Sequence, residues 1–233
     1  MNAIVSGGTK GIGKAAVMHL AANGYNVSFC SRNEEEIQNL LIELEESYPD
    51  LHFHGMKADM EKMEEVIDFA EFASKAHDTI DVLVNNAGLY IPSSLISEDE
   101  GILERQMRVN VYAPHFLSKF FASRMMKQGK GYIFNICSVA GLNPVLSAGS
   151  YSISKAALHS LTKALRQELL NFGVKVTAII PGSTLTDSWS GTDIPSERFI
   201  LADDIALSII SCLQMSAGAN VEEIIIRPLK GDI

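Results

Sequence analysis

The chain has 233 residues, of which 47% are apolar, and a formal net charge of −9 at pH 7. A chain of this length and apolar content can bury one sizeable core, which predicts a single domain over residues 1–233. The acidic balance argues against nucleic acid as the main partner, because binding to a phosphate backbone needs clustered Lys and Arg.

Short apolar runs that predict strands alternate along the chain with stretches of helical apolar spacing. The predicted strands are residues 3–5, 26–30, 51–56, 82–84, 132–136, 175–180 and 223–226. The predicted helices are residues 14–22, 34–47, 60–76, 111–128, 151–172 and 203–215. The near-continuous apolar character of the strands suits a parallel sheet that is covered on both faces. We therefore expect an α/β fold with a doubly wound, mostly parallel sheet of about seven strands and ligands bound beyond the carboxyl ends of the strands.

The first predicted strand runs directly into a glycine-rich turn, Gly7-Gly8-Thr9-Lys10-Gly11-Ile12-Gly13, and a predicted helix follows. A phosphate-binding site needs strand, glycine turn and helix in this order. Gly11 and Gly13 let the backbone approach a pyrophosphate closely, while the free amides and the positive end of the helix dipole face the anion. A glycine-rich turn by itself is often only a turn.

Tyr151 and Lys155 lie four residues apart at the start of the predicted helix 151–172. This spacing places the phenol and the ammonium on the same helical face. A Lys cation near a Tyr hydroxyl favours the phenolate, so we expect the Tyr151 pKa to be lowered from about 10. Such a pair is the proton-handling half of an oxidoreductase, although the spacing alone is weak evidence because Tyr and Lys are common on helix surfaces.

Four separated motifs, which agree in order and spacing, resemble the short-chain dehydrogenase/reductase family over almost the whole chain. The glycine turn is similar to the family's Thr-Gly-x-x-x-Gly-x-Gly, with Ser6 in place of the threonine. The other three matches are Asn85-Asn86-Ala87-Gly88, Tyr151 with Lys155, and Pro181-Gly182. The resemblance implies a Rossmann fold and hydride transfer between a nicotinamide cofactor and a carbonyl compound or its alcohol.

The resemblance also implies roles for individual residues. Asn110 and Ser138 become the remaining catalytic positions beside Tyr151 and Lys155. Tyr151 would be the general acid or base, Ser138 would orient the carbonyl oxygen, Lys155 would also bond the nicotinamide ribose, and Asn110 would support a water. Ser138 is alternatively a turn residue and Asn110 a helix cap. The implied cofactor contacts are Gly7, Thr9, Lys10, Gly11, Ile12, Gly13, Ser31, Arg32, Asp59, Asn86, Ala87, Gly88, Tyr151, Lys155, Pro181, Gly182, Thr184 and Thr186.

The residues after the second predicted strand indicate which nicotinamide cofactor is used. An NAD-preferring site has an acidic residue there to hold the ribose hydroxyls, whereas this chain has Cys30-Ser31-Arg32. Arg32 can bond a 2′-phosphate and Lys10 adds a second cation, so NADP(H) is expected. Alternatively, Arg32 pairs with the glutamates at 34–36 on the surface. Asp59 matches the family position that bonds the adenine amino group, or it caps the next helix.

The substrate is defined only by class. The predicted pocket walls are residues 89–95, 141–147 and 183–199. Trp189 and Phe199 either close over a ligand as part of a lid around residues 183–200 or belong to the core. Residues 221–228 differ from the glycine-rich ending of 3-oxoacyl-carrier-protein reductases and resemble the ending of broad-specificity NADP-dependent reductases and hydroxy-acid dehydrogenases. We therefore expect a small carbonyl or hydroxy compound, with the acyl-carrier-protein reductase and a non-catalytic NADP(H) sensor as alternatives.

Other features of the sequence bear on partners and location. The acidic runs at 34–36 and 43–46 fit a solvated helix face, so no metal is expected. Cys30, Cys137 and Cys212 show no paired spacing and are expected as buried free thiols in a reducing compartment. The first strand begins within a few residues of Met1, which leaves no room for a signal sequence, and no apolar run approaches the ~20 residues of a membrane span. A cytoplasmic protein without a membrane partner is expected.

The resemblance further implies a homodimer or homotetramer, because family members usually assemble through the two helices predicted at 111–128 and 151–172. The aromatic residues of the first of these helices suit such a surface or the core: Phe116, Phe120 and Phe121.

Overall fold

A computed structural model describes residues 1–189 and 191–233. Its seven strands are β1 Asn2–Ser6, β2 Asn26–Ser31, β3 Phe53–Lys57, β4 Val82–Asn85, β5 Gly131–Ile136, β6 Val174–Pro181 and β7 Glu223–Ile226. They form one sheet in the order β3-β2-β1-β4-β5-β6-β7, with every neighbouring pair parallel. The predicted doubly wound parallel sheet is confirmed.

The helices cover both faces of the sheet. They are α1 Gly11–Ala22, α2 Glu34–Ser47, α3 Met63–Ala76, α4 Ile102–Met107, α5 Ala113–Gln128, α6 Gly149–Leu169 and α7 Ala202–Leu213. Buried side chains of α1, α2 and α7 share one core cluster, whereas those of α3 and α5 share a cluster on the opposite face. Each helix in the described ranges falls short of what a membrane crossing requires in length or in apolar character.

The long helix before β5 begins earlier than predicted and contains an irregular turn. A π-helical turn, Arg108–Tyr112, joins α4 to α5, so helical backbone starts at Ile102 rather than at residue 111. Pro114 lies in the first turn of α5. Because proline has no N–H to return to the carbonyl four residues earlier, a regular α-helical bond to Asn110 is impossible there. Such π turns are frequent at functional sites, and this one contains Asn110.

The strand order reverses beside β1. This strand pairs with β2 on one side and with β4 on the other. In a doubly wound sheet, ligands bind in the crevice outside the carboxyl ends of the strands at such a switch point. The glycine turn follows β1, and Asn86, Ala87 and Gly88 follow β4. Both motifs therefore border the crevice.

The three cysteines and the phenylalanines of α5 lie in the core or pack against it. Cys30, Cys137 and Cys212 are free and buried, as predicted. Phe121 is fully buried, whereas Phe116 and Phe120 are partly buried against the same core cluster. The core interpretation is therefore correct for Phe121.

A buried histidine makes the fold sensitive to acid. The His77 side chain is 5% exposed, and its Nε2 lies 2.9 Å from the buried Ser28 Oγ. Burial, followed by the neighbouring His54, lowers the His77 pKa from 6.5 to about 4. The unfolded chain therefore takes up a proton at higher pH than the folded chain. This contribution to stability is complete above pH 6.5 and is lost as the pH falls toward 4.

We expect His77 to lower the free energy of unfolding by about 2 kcal/mol between pH 7 and pH 5. Urea unfolding of the wild type and of His77→Gln at the two pH values measures this difference. His115→Gln is the matched control, because the His115 side chain is exposed on α5. An identical pH dependence in the wild type and in His77→Gln would show that His77 is not the acid-sensitive group.

Candidate functional site

The turn after β1 depends on glycines at positions where a side chain would be strained or would clash. Gly7 and Gly11 have left-handed φ angles of 70° and 48°, which favour glycine. A Cβ atom on Gly13 would overlap the Gly7 carbonyl oxygen, and a Cβ atom on Gly11 would lie 2.9 Å from Thr186 Cγ2. Helix α1 begins at Gly11 without a side-chain cap from Lys10. The turn thus combines close backbone access with the positive end of a helix dipole, which fits a pyrophosphate.

Side chains from β1 and from the loop after β4 hold this turn in place. Asn86 Nδ2 donates to the carbonyl oxygens of Ser6 and Gly7 at 3.0 and 2.9 Å. Ser6 Oγ accepts from the amides of Asn86 and Ala87, each at 3.1 Å. The Asn86 side chain, which was predicted as a cofactor contact, therefore uses its amide nitrogen to support the turn. The hydroxyl of Ser6 is a functional group that the sequence marked only as a replacement for threonine.

Charged and hydroxyl side chains meet beside the turn at the end of β2. Lys10 Nζ lies 2.8 Å from Glu36 Oε1 and 3.2 Å from Asp187 Oδ2. Thr9 Oγ1 donates to Glu36 Oε2 at 2.9 Å and lies 2.7 Å from Ser31 Oγ. Glu36, followed by Asp187, raises the Lys10 pKa. Within the acidic run at 34–36, which was predicted as a solvated helix face, Glu36 is half-buried because Lys10 and Thr9 bind its carboxylate.

Arg32 and Asp59 do not take the surface roles that were considered as alternatives to cofactor binding, namely pairing with the glutamates and capping α3. Within the described part of the chain, Arg32 forms no ion pair, so the predicted pairing of Arg32 with the glutamates is wrong. Asp59 does not cap α3, which begins at Met63 after Lys62. The Asp59 carboxylate instead accepts from the Glu61 amide at 3.0 Å. Both Arg32 and Asp59 lie near the carboxyl edge of the sheet, at the ends of β2 and β3.

The residues with proton chemistry meet where β5 ends. Tyr151 and Lys155 lie on α6, and Ser138 is close enough to the Tyr151 hydroxyl to exert a lowering effect on its pKa. Lys155 is 4% exposed, and its Nζ donates to the Ile136 carbonyl at 2.8 Å. Lys155 Nζ lies 5.8 Å from the centre of the Tyr151 ring. Ser138 Oγ also accepts from the Ala140 amide at 3.1 Å, so its turn role and its contact with Tyr151 coexist.

Burial decides the pKa values of this pair. It raises the Tyr151 pKa to about 12, against the lowering effect of Ser138. It also lowers the Lys155 pKa to about 8. The expectation that Lys155 lowers the Tyr151 pKa is therefore wrong in this arrangement. Burial disfavours both the Tyr151 phenolate and the Lys155 ammonium. The cation that was expected to stabilise the phenolate is therefore itself less stable than in water.

Asn110 anchors the loop after β4. Its Oδ1 accepts from the Leu89 amide at 2.7 Å, and its Nδ2 donates to the Leu89 carbonyl and to Ser154 Oγ, each at 2.9 Å. A Cβ atom on Gly88 would lie 3.6 Å from both Asn110 Oδ1 and Lys155 Nζ. The helix-cap alternative is wrong, because Asn110 lies inside the π turn. Its predicted support of a water stays a prediction.

One aromatic residue was predicted only as part of a pocket wall. The Tyr90 ring meets the Tyr151 ring edge to face, with the two ring centres 4.9 Å apart. Tyr90 remains 48% exposed beside Tyr151. Its proximity to Tyr151 depends on how the loop after β4 folds, and the sequence carries no signal for it beyond its place after Gly88.

The segment after β6 covers the opposite side of the crevice. The Gly182 amide donates to the Ile226 carbonyl at 2.8 Å, and Thr184 Oγ1 donates to the Gly182 carbonyl at 3.0 Å. Thr186 Cγ2 lies beside Gly11, and Thr186 therefore closes this side of the glycine turn. Pro181 is the last residue of β6. These four predicted cofactor positions are thus gathered at the same edge of the sheet as the glycine turn.

The residues predicted to form a lid lie between β6 and α7. Trp189 and Phe199 rings meet with centres 5.0 Å apart, and Phe199 is buried, which supports the core interpretation for Phe199. Ser190, within the predicted lid 183–200, lies outside the described residues. No three His, Cys, Asp or Glu side chains in residues 1–189 and 191–233 are placed to hold a metal ion.

The parallel sheet and the glycine turn at its switch point define a nucleotide-binding α/β fold. The sequence profile of short chain dehydrogenases matches residues 1–194. The chain belongs to the short-chain dehydrogenase/reductase family.

Individual relatives agree with this assignment. An uncharacterized oxidoreductase of Staphylococcus saprophyticus is 31% identical over 97% of this chain and 97% of its own length. A metagenomic short-chain oxidoreductase, solved in complex with NADP, is 29% identical with a TM-score of 0.85, over 98% of this chain and 97% of its own. An actinorhodin polyketide ketoreductase, solved with NADPH, is 25% identical with a TM-score of 0.87, over 97% of this chain and 95% of its own.

Proposed function

We propose that this protein is an NADP(H)-dependent oxidoreductase that interconverts a carbonyl compound and its alcohol, with Tyr151 as the general acid and base. The observation that carries the proposal is the meeting of Ser138, Tyr151 and buried Lys155 where β5 ends, at the same sheet edge as the glycine turn. The NADP- and NADPH-bound relatives support the choice of cofactor.

The residues present fit a dinucleotide. The tight glycine turn fits a pyrophosphate, because Gly11 and Gly13 pack too closely against Thr186 and the Gly7 carbonyl to carry side chains, and the turn leads into the amino-terminal end of α1. Arg32 and Lys10 would hold a 2′-phosphate, and Lys155 would bond the nicotinamide ribose. When bound, the nicotinamide supplies or accepts the hydride.

The protein's own residues would orient the carbonyl and move one proton. The Ser138 hydroxyl would bond the carbonyl oxygen and fix it beside Tyr151. With a pKa of about 12, the Tyr151 phenol keeps its proton at neutral pH and is therefore in the state that carbonyl reduction requires. Asn110 would hold the loop that carries Tyr90.

We propose a small ketone, aldehyde or hydroxy compound as the substrate, with Tyr90 at the rim of its pocket. A 3-oxoacyl thioester is the alternative substrate, and the carboxyl-terminal departure described above argues against it. A sensor that binds NADP(H) without turnover is the alternative from another class. Four further features stay predictions. They are the single catalytic domain over residues 1–233, the lid at 183–200, the cytoplasmic location and the assembly into a homodimer or homotetramer.

The test is NADPH consumption over a panel of ketones, aldehydes, 3-oxo acids and 3-oxoacyl thioesters. We expect turnover with at least one small carbonyl compound, and the ranking of the panel assigns the substrate class. Tight NADPH binding without turnover on any member would favour the sensor. Turnover restricted to thioesters would replace the small carbonyl with the acyl-carrier-protein substrate.

A further inference from the structure

The Glu36 carboxylate lies among the residues that would receive a 2′-phosphate. Its two oxygens bond Lys10 Nζ at 2.8 Å and Thr9 Oγ1 at 2.9 Å. Thr9 Oγ1 in turn lies 2.7 Å from Ser31 Oγ. Lys10, Thr9 and Ser31 are three of the proposed cofactor contacts. One carboxylate therefore uses the donors that the phosphate would need.

The first turn of α2 fixes this carboxylate. The N-cap residue Asn33 accepts from the amides of Glu35 and Glu36 at 2.9 and 3.3 Å. Asn33 Nδ2 also donates to Glu36 Oε1 at 3.1 Å. Glu34 and Glu35, in the same turn, are exposed, whereas Glu36 is half-buried. Only Glu36 of the acidic run at 34–36 thus reaches the glycine turn.

The charge of Glu36 has opposite consequences for the two nicotinamide cofactors. A phosphate monoester carries about −1.5 to −2 charges at neutral pH, so a 2′-phosphate would meet a like charge and compete with Glu36 for Lys10. A 2′-hydroxyl is neutral and can donate a hydrogen bond to the carboxylate. Arg32, which forms no ion pair among the described residues, acts in the opposite direction and favours the phosphate.

We propose that Glu36 is a specificity-determining residue that weakens the binding of NADP(H) and lets NAD(H) share the site. The inference rests on the proposed function, because it requires a dinucleotide in the crevice. It assigns the selectivity between the two cofactors to a balance between Glu36 on α2 and Arg32 after β2.

The dissociation constants of NADPH and NADH, measured by fluorescence titration, test the inference. The variants are Glu36→Gln and the control Glu35→Gln, which removes the same charge from the same helical turn and matches any helix-dipole effect. We expect the NADPH Kd to fall about tenfold in Glu36→Gln and to change less than about threefold in Glu35→Gln. The NADH Kd should change less than about threefold in both variants, because the glutamine at position 36 keeps an oxygen that can accept the hydrogen bond of a 2′-hydroxyl.

Four results would overturn the inference, and they differ in what they leave standing. An unchanged NADPH Kd in Glu36→Gln, or an equal fall in Glu35→Gln, would remove the role of Glu36 while cofactor binding stands. Weaker NADH binding with unchanged NADPH binding would show that Glu36 holds the ribose hydroxyl instead. If neither nucleotide binds the wild type, the proposed function fails and the inference fails with it.

Discussion

Replacing Tyr151 with Phe is expected to lower kcat for carbonyl reduction by about 10²- to 10⁴-fold, the range that general acid catalysis contributes. The phenyl ring keeps the edge-to-face contact with Tyr90 but has no proton to give to the developing alkoxide. Because the proposed phosphate contacts lie elsewhere, the NADPH Kd should change less than about threefold. Initial rates and a binding titration on the same preparations measure both quantities.

The control is Tyr112→Phe, which removes the hydroxyl of an exposed tyrosine in the π turn. It should keep wild-type rates.

In the direction of alcohol oxidation, the wild-type rate should rise with pH, because the phenolate is the form that accepts a proton and burial keeps it scarce at neutral pH. Wild-type activity in Tyr151→Phe would remove Tyr151 from the mechanism.

The second large effect is expected from Gly13→Ala. The added methyl group would overlap the Gly7 carbonyl oxygen and crowd Asn86 Nδ2, so the turn has to shift. Overpacking of this kind costs about 1–3 kcal/mol of stability. The displaced backbone would also no longer fit a pyrophosphate, and we expect the NADPH Kd to rise at least about 100-fold.

Urea unfolding and NADPH titration of Gly13→Ala measure the two effects separately. Gly218→Ala is the matched control, because a Cβ atom there meets nothing within 4 Å and its φ lies outside the left-handed region. We expect it to behave as the wild type. If Gly13→Ala binds NADPH as tightly as Gly218→Ala, the turn is not the pyrophosphate site.

Local sequence patterns were sufficient for the sheet, the glycine turn and the placement of Tyr151 and Lys155 on one helix. The apolar runs of the strands and the glycine turn reflect short-range requirements, namely burial on both faces and backbone geometry at Gly7 and Gly11. The four-residue spacing of Tyr151 and Lys155 likewise survives in any helix. These features could be predicted because neighbours along the chain impose them.

Features that depend on distant contacts could not be predicted. The Asn86 amide supports the glycine turn only because β1 and β4 are adjacent in the sheet. Glu36 meets Lys10 because α2 begins beside the same turn. The direction of the Tyr151 pKa shift depends on how deeply the hydroxyl is buried, and the spacing of two residues along a helix does not reveal this burial.

The most direct test of Tyr151 as the proton donor is a single-turnover experiment with NADPH that carries deuterium at the transferable position. Wild type and Tyr151→Phe are each saturated with the labelled cofactor and mixed with the best carbonyl compound of the panel. We expect the wild type to give an alcohol with deuterium on the former carbonyl carbon, and the variant to bind NADPH equally but to form this product at least about 100-fold more slowly. Equal rates of labelled alcohol from both proteins would contradict the role of Tyr151, and no labelled alcohol from a wild type that binds NADPH would contradict the reductase itself.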